Sequence, residues 1–413
     1  MPDAMTKGLF YLDPAIRLFP ETGKDAQVGG ILLQPDPMRA LRMNPAAFSI
    51  LEKCRFGYCP HNSLNDGNDP IAKQTIAFLD SLCRAQILEW KPSTENFEPY
   101  ISIVIAVYNR SQDLYGCLES IKTLDYPQSK IEVIVVDDAS TDKSADVARK
   151  FGAKVIVQCE NQGQSAARNR GAKEASGEIL AFIDSDCVAH SGWLKDLVPY
   201  FQNQRYVLVG GYVDSWYHQT MLDRYEAAKS ALNMGKQKII GAGTHNVFYV
   251  PTCNVLIIKD VYLQQGGLDE SMRVGEDVDF CWRLMKAGHS LIYVPQGKVM
   301  HKHRNQFLSC FKRRFDYGTS EPALYEKYPE TTKRFPWQSG GIIFFLCCLL
   351  GLVAKPLLGF SMAAILLFSE TWFKMFQINK RFKVSLPLLT ILAGIFRSHF
   401  LLMYYLTCHF SRY

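Results

Sequence analysis

The chain has 413 residues, 48% of them apolar and 21% charged, which excludes a disordered or fibrous protein and suffices for two globular units with an appendage. Its formal net charge of +6 is unevenly spread, because from His301 onward 15 Lys and Arg stand against 5 Asp and Glu. A basic end of that kind points to an anionic membrane surface, and no nucleic-acid partner is expected. The 12 cysteines include no Cys-x-x-Cys pair, and no charged-then-apolar leader opens the chain, so a reduced, cytosolic setting is expected.

In chain order, residues 8–92 read as a small unit with a hairpin-like start and two helices. The first helix is Pro45 to Cys54, with Asn44 as N-cap and Pro45 at the first helical position; the second runs Ile76 to Arg84 on the spacing of Ile76, Leu79 and Leu82. A polar stretch, 93–99, reads as a linker. From residue 100 to about 335 the pattern turns to strands alternating with helices. Ile101–Val107, Ile131–Val136, Lys154–Val157 and Ile179–Ile183 are strand runs; Leu114–Leu124, Lys143–Phe151 and Ser165–Ala175 are helical between them. That rhythm predicts a parallel α/β sheet whose ligands gather at the carboxyl ends of the strands.

Asp184 and Asp186 follow the fourth of these strands. If the strand geometry continues, residues two apart point the same way, so this pair can converge on one hard divalent cation, Mg²⁺ or Mn²⁺, that leaves positions open for phosphate oxygens. Asp-x-Asp also occurs in solvated turns, so the pair gains weight from its neighbours. Tyr108, Asn109 and Asp138 fall at the ends of other strands. A carboxylate beside an aromatic face can accept from a uracil N–H while the ring stacks, although Asp138 also suits a turn. Arg168 and Arg170, near the start of a helix, can neutralise a diphosphate or stay solvated.

In order, spacing and strand context, Ala106–Arg110, Val136–Asp142, Asn161–Gly171 and Asp184–Asp186 resemble the glycosyltransferase family 2 series, over roughly Tyr100 to Gly318. The resemblance implies an α/β fold of the GT-A (Rossmann-like) type, a nucleotide-sugar donor, a divalent cation and inversion at the anomeric carbon. By position it assigns Asp138 to the base edge, Tyr108 with Asn109 to the base, Asp186 to the metal and Asp184 to the donor ribose or sugar. Val274–Leu284 resembles the family's Glu-Asp motif, which makes Asp277 the general base with Glu276 beside it. Asp277 falls in the first turn of a helix that Gly288 stops, where acids are also favoured by the helix dipole alone. Asn254 sits where the family has a sugar-contacting Asn, and is equally suited to a turn. His301 and His303 follow the strand Leu291–Val294 and are candidate further metal ligands, with surface decoration as the other reading. Lys312, Arg313 and Arg314 can meet donor phosphates or lipid headgroups. The Gln-x-x-Arg-Trp signature of processive synthases is absent.

Residues 336–413 are apolar but interrupted. Gly340 to Ala354 is a charge-free run of 15, short of the ~20 needed to span a bilayer, and Lys355-Pro356 breaks it before a second run. A hairpin or re-entrant pair at the cytoplasmic face of a bacterial membrane is expected, with a packed helical subdomain as the alternative. Ahead of the α/β region, Leu12–Leu18, Gly29–Leu33, Met38–Ala47 and Leu82–Leu88 resemble the small PqqD-like winged-helix domains that recognise peptide precursors. Their fusion to a family 2 transferase is similar to the mycofactocin-system glycosyltransferases. That implies glucose transfer from UDP-glucose to a peptide-derived redox cofactor, captured by strand addition. A lipid-phosphate or glycan acceptor and a non-catalytic membrane-bound recognition protein are the alternatives.

Overall fold

The computed structural model describes residues 8–20, 29–35, 38–60, 70–93, 97–203, 205–217, 219–220, 223, 227, 230, 232–242, 248–302, 324 and 326–328. His303, Lys312 to Arg314 and the apolar segment 336–413 lie outside these residues. Among the described residues no helix is long and apolar enough to cross a membrane.

The first unit contains β1 (Gly8–Leu12), β2 (Arg17–Pro20), β3 (Gly30–Pro35), β4 (Met38–Met43), α1 (Pro45–Cys54), α2 (Pro70–Arg84) and β5 (Leu88–Pro92). Strands β2, β3 and β4 form an antiparallel sheet, and β1 pairs with β5, closing the two ends of the unit on each other. Helix α1 has the expected bounds: the Asn44 side chain accepts from the Ala47 N–H at 2.8 Å, satisfying one of the amides that a helix start leaves unpaired. Its face of Phe48, Leu51 and Cys54 is buried. Helix α2 begins at Pro70, six residues before the first apolar contact that marks it in sequence. Apolar spacing identifies the packed turns of a helix, whereas its start is set here by a proline, which suits a first turn.

Strand β5 fastens this unit to the rest of the chain. Trp90 packs against Tyr200 and Tyr206 with ring centroids 6.0 and 6.1 Å apart, and Lys238 pairs with Glu89 at 2.5 Å. Arg205 pairs with the buried Asp80. One continuous apolar cluster runs from Phe10 and Leu51 through Trp90 to Ile103 and Trp193, so the expected linker joins units that are packed together.

The second unit contains β6 (Ile101–Val107), α3 (Ser111–Lys122), β7 (Ile131–Asp137), α4 (Ser144–Lys150), β8 (Lys154–Val157), α5 (Gln164–Lys173), β9 (Ile179–Ile183), β10 (Cys187–Ala189), α6 (Trp193–Leu197), β11 (Tyr206–Gly210) and β12 (Val213–Ser215). It continues with β13 (Ile239–Gly241), β14 (Asn254–Ile258), α7 (Lys259–Gln264), α8 (Glu276–Lys286), β15 (Ser290–Tyr293) and β16 (Val299–His301). The large sheet has the order β13-β15-β11-β14-β9-β6-β7-β8. Strands β9, β6, β7 and β8 are parallel as the alternation predicts. The sheet as a whole is mixed, which corrects the all-parallel expectation: β14 runs antiparallel to both β9 and β11. Its run Asn-Val-Leu-Ile-Ile carries no mark of direction, so sequence alone does not give it.

Both faces of β6 are covered. Ile103 and Ile105 join the cluster containing Leu114, Cys117 and Ile121 of α3, while Val104 joins the cluster containing Ala167 of α5 and Phe280 of α8. This two-sided burial explains the near-continuous apolar run. Helix α5 approaches the sheet so closely that a Cβ on Gly171 would meet Val104 at 2.5 Å. A second sheet, β10-β16-β12, places Cys187 opposite His301, so the end of β16 lies beside the segment that follows β9.

Asn44→Ala should lower stability by about 1 kcal/mol, read as an earlier denaturant midpoint with unchanged slope. An unshifted midpoint would show that this cap contributes nothing.

Candidate active site

A cleft of about 390 Å³ opens at the carboxyl ends of β6, β7 and β9, within the size range of small-ligand sites. Tyr108, at the end of β6, lines it and is 48% exposed, so its ring is available for a ligand to pack on. Asp138 lines it from the end of β7. Its carboxylate is only 3% exposed and accepts from the Gln162 and Gly163 amides, each at 2.8 Å, and from Gln158 Nε2. Those bonds fix the loop leading into α5. Asn109, expected beside the base, is used differently. Held at a positive φ of 52°, it accepts from the Thr141 amide at 2.8 Å and ties the end of β6 to the loop after β7; it is absent from the cleft wall.

Asp184 and Asp186 both line the cleft, but they do not form the expected strand-like pair. Strand β9 stops at Ile183, and the Cys187 amide donates to the Asp184 carbonyl at 3.0 Å, so the two acids sit in a tight turn where two-residue alternation no longer holds. Asp184 turns to Arg168 at 2.5 Å. Asp186 turns to His301, whose Nε2 lies 3.5 Å from Oδ1, and to Arg110 at 3.6 Å.

Asp186, Cys187 and His301 bring one possible ligand atom each within 4.8 Å of one another, the described group with metal-ligand geometry. The Cys187 thiol is fully buried and hydrogen-bonded to Cys253; burial pushes it far above its ordinary range, so it stays protonated. That leaves a carboxylate oxygen and an imidazole nitrogen, a donor set that fits Mg²⁺ or Mn²⁺ with positions left for phosphate oxygens. Burial, followed by the neighbouring Asp184, raises the Asp186 carboxyl above its usual value although His301 and Arg110 oppose the rise. A divalent charge there would reverse that balance.

Arg168, read from sequence as meeting a diphosphate or staying solvated, lines the cleft but has its guanidinium engaged by protein. It is 2% exposed and holds Asp184 on one side and Glu276, at 3.5 Å, on the other. Arg170 lies outside the site, exposed and paired with Glu174.

Helix α8 starts from Gly275 in the left-handed region, φ 85°, a conformation glycine adopts without strain. Its three first-turn acids have separate surroundings. Glu276 accepts from Gln164 Nε2 at 2.7 Å and shares Arg168 with Asp184. Asp279 is buried and receives Arg283, Lys327 and the Tyr328 hydroxyl at 2.8, 2.7 and 2.7 Å, anchoring the helix. Asp277 accepts from the Val278 amide and lines a narrow pocket with Phe182, Thr252, Tyr262 and Phe280. That pocket, about 10 Å³, holds no sugar. The acids therefore do not all meet in one cleft; Glu276 is joined to it through Arg168, and Asp277 stands one residue beyond. Burial, and then the adjacent Glu276 charge, push the Asp277 carboxyl up to about 7.

Asn254 is a correction. It is fully buried, accepts from Trp193 Nε1 at 2.8 Å and donates to the carbonyls of Tyr212 and Gly297 at 3.0 and 2.8 Å. With those groups satisfied it braces the turns between sheets, and it does not line the cleft. Sequence reading passed over Arg110, Asp113 and Lys302, although Arg110 follows the Tyr-Asn pair and Lys302 stands between the two histidines.

Residues 102–264 match the Glycosyl transferase family 2 domain. A glycosyltransferase of Haloferax volcanii, AglE, is 34% identical over 230 residues, 54% of this chain and 73% of that protein. This chain belongs to glycosyltransferase family 2. The family 2 chain is also 30% identical over 328 residues, 78% of its length, to the pre-mycofactocin glycosyltransferase of Mycobacterium tuberculosis, of which the match spans 66%. A glucosyl-dolichyl phosphate glucuronosyltransferase of Haloferax volcanii is 26% identical over 250 residues, 56% of this chain and 79% of that one. The fold is of the GT-A type: a mannosyltransferase from Pyrobaculum calidifontis, solved with GDP-mannose and Mn²⁺, superposes with a TM-score of 0.50 at 18% identity, covering 78% of this chain and 92% of that one.

Asn254→Ala should cost about 3 kcal/mol, because it strands buried partners, and should leave the donor KM of the folded enzyme within twofold. A large rise in donor KM at unchanged stability would return Asn254 to the sugar site.

Proposed function

We propose that this enzyme moves a hexose, glucose from UDP-glucose in the first instance, onto an acceptor hydroxyl with inversion at the anomeric carbon. The observation that carries this reading is the meeting of Asp186, from the turn after β9, and His301, from the end of β16, at a cleft that also presents the exposed Tyr108 ring. In this reading Tyr108 packs on the donor base and the end of β7 meets its edge. Asp184, fixed by Arg168, receives the ribose or sugar hydroxyls.

Mg²⁺ or Mn²⁺, held by Asp186 and His301, supplies charge neutralisation of the leaving diphosphate when bound. Asp277 takes the proton of the attacking hydroxyl. The resemblance of Val274–Leu284 to the family's Glu-Asp motif supports this role, and a proton affinity near pH 7 suits it; because Asp277 lies outside the cleft in the resting structure, the role requires the start of α8 to turn toward the acceptor when it binds. Glu276, engaged by Gln164 and Arg168, positions it. Removal of the proton accounts for roughly 10²- to 10⁴-fold, and charge stabilisation with alignment for the rest.

The acceptor is read as a peptide-derived, mycofactocin-type redox cofactor. The similarity to the mycobacterial enzyme supports this, as do the two small sheets and two helices of the first unit, which suit a PqqD-like recognition domain. The interrupted apolar runs with their basic residues support attachment to the cytoplasmic face of a bacterial membrane. They also favour the second reading, transfer to a lipid-phosphate or surface-glycan acceptor.

Purified enzyme incubated with UDP- and GDP-sugars, Mn²⁺ and both acceptor classes should yield hexose mass increments, and Asp186→Ala should lose at least ~10²-fold of the rate. Turnover unaffected by Asp186→Ala or by chelation would remove the metal site from the mechanism.

The Asp277 assignment has its own pH signature. Because kcat/KM needs the ionised base, it should rise with pH through about 7, and Asp277→Asn should abolish both the rate and that rise. Stability moves the other way. A carboxyl raised in the folded state binds its proton more tightly there than in the unfolded chain, so stability falls between about pH 4 and 7. Asp277→Asn should therefore melt higher than the parent above pH 7; an active Asn variant with the parent's pH profile would exclude Asp277 as base.

A further inference from the structure

The cleft needs protein cations for the donor phosphates, and Arg168 is committed elsewhere: it is buried and shared by two carboxylates. Two other basic side chains line the same cleft, Arg110 and Lys302. Arg110 follows the end of β6, and Lys302 follows the end of β16, 189 residues from Asp113 in the chain. The fold brings both to one carboxylate. Arg110 Nη1 lies 3.0 Å from Asp113 Oδ2, and Lys302 Nζ lies 3.2 Å from Asp113 Oδ1.

Both cations are also placed by the metal-site residue. Arg110 Nη1 stands 3.6 Å from Asp186 Oδ2, and the Lys302 amide donates to the Asp186 carbonyl at 2.9 Å. Lys302 is steadied further by the Trp216 ring, whose centroid lies 5.8 Å from Nζ. A guanidinium offers a planar fork to two phosphate oxygens, and an ammonium offers a compact point charge.

We propose that Arg110 and Lys302 are the protein's own ligands for the donor diphosphate, held in readiness by Asp113. In the resting enzyme Asp113 shares them, with side chains 36% and 20% exposed, so an arriving phosphate meets them from the open side. During transfer the acceptor oxygen bonds to C1 and loses its proton while the C1–O bond to the diphosphate breaks; the electron pair of the broken bond goes to the leaving oxygen, and these two cations lie where that charge grows. Asp113, in the first turn of α3, is a positioning residue and does not touch the donor.

The inference rests on the nucleotide-sugar reading, and binding to the full chain separates the two. Calorimetry would compare UDP and GDP with uridine and guanosine, in EDTA and in Mn²⁺, for the parent, Arg110→Gln, Lys302→Met and Asp186→Ala. Each cation variant should weaken the bound diphosphate ten- to hundredfold in both conditions while nucleoside binding stays within twofold, and Arg110→Lys should recover part of the loss. If the parent binds a diphosphate and Asp186→Ala loses only the Mn²⁺-dependent part, yet both cation variants bind like the parent, the inference is wrong and the donor reading stands. Equal weakening of nucleoside and diphosphate also overturns it, by reducing the two residues to structural roles. A parent that binds neither diphosphate, with or without Mn²⁺, overturns the donor reading itself.

Discussion

Carboxylates gathered at one edge of a sheet repel one another, and the active edge of this protein depends on a buried guanidinium that prevents it. Arg168 joins Asp184, from the turn after β9, to Glu276, from the start of α8. The two acids lie 92 residues apart in the chain, on opposite sides of the antiparallel strand β14 in sequence. Breaking the Arg168–Glu276 pair, with both side chains buried, costs about 3–5 kcal/mol, because the abandoned charge has no water to receive it. Arg168 therefore fixes the distance between the half of the site that faces a donor and the helix that carries the proposed base. The close seating of α5, which Gly171 permits, sets where that guanidinium stands.

A second consequence is a division of labour along one helical turn. Glu276, Asp277 and Asp279 are near neighbours with like charge, and they avoid one another by taking different partners: Arg168 with Gln164, a backbone amide, and the trio of Arg283, Lys327 and Tyr328. Among the described residues the acid without a cation within salt-bridge distance is Asp277. Burial is the larger cause of its raised proton affinity, and the charge of the adjacent Glu276 adds to it. The anchor at Asp279 holds α8 in place by its own buried charge, so the strain of crowding acids is borne by the fold and leaves the proton of Asp277 adjustable.

Much of the architecture was legible in the sequence because it is local. The strands of the parallel half, their intervening helices, the Asn44 cap and the first-turn place of Asp277 each follow from residues within a few positions. The direction of β14 and the small sheet that carries His301 to Asp186 depend on pairings far along the chain, which periodicity does not encode. The site was legible in its residues and less so in their roles. Tyr108, Asp138, Asp184, Asp186 and His301 do line one cleft. Arg168 and Asn254 have the right chemistry for ligand contact and spend it internally, because burial forces a polar group to find protein partners, while the exposed Asn109 spends it on the loop after β7. Burial is the quantity that sequence withholds, and it commits a polar group to protein partners before any ligand arrives.

The same quantity separates the cations of the cleft. Arg168 has a side chain 3% exposed, and its pairs are too costly to break during turnover. The pairs of Arg110 and Lys302 with Asp113 are open to solvent, with Asp113 itself 27% exposed, and exposed pairs of this type contribute only about 0–1 kcal/mol each. Although burial pushes the Asp113 carboxyl up, its bonds to Arg110 and Lys302 hold it below the ordinary range, so it remains a charged partner across the neutral pH region. A weak, charged, solvent-facing partner is what an exchangeable contact requires. An anion with several phosphate oxygens outcompetes one carboxylate for the two cations, whereas nothing entering the cleft displaces Asp184 or Glu276 from Arg168. The fixed pairs thus shape the cleft before any ligand arrives, and the loose pairs are free to respond to it.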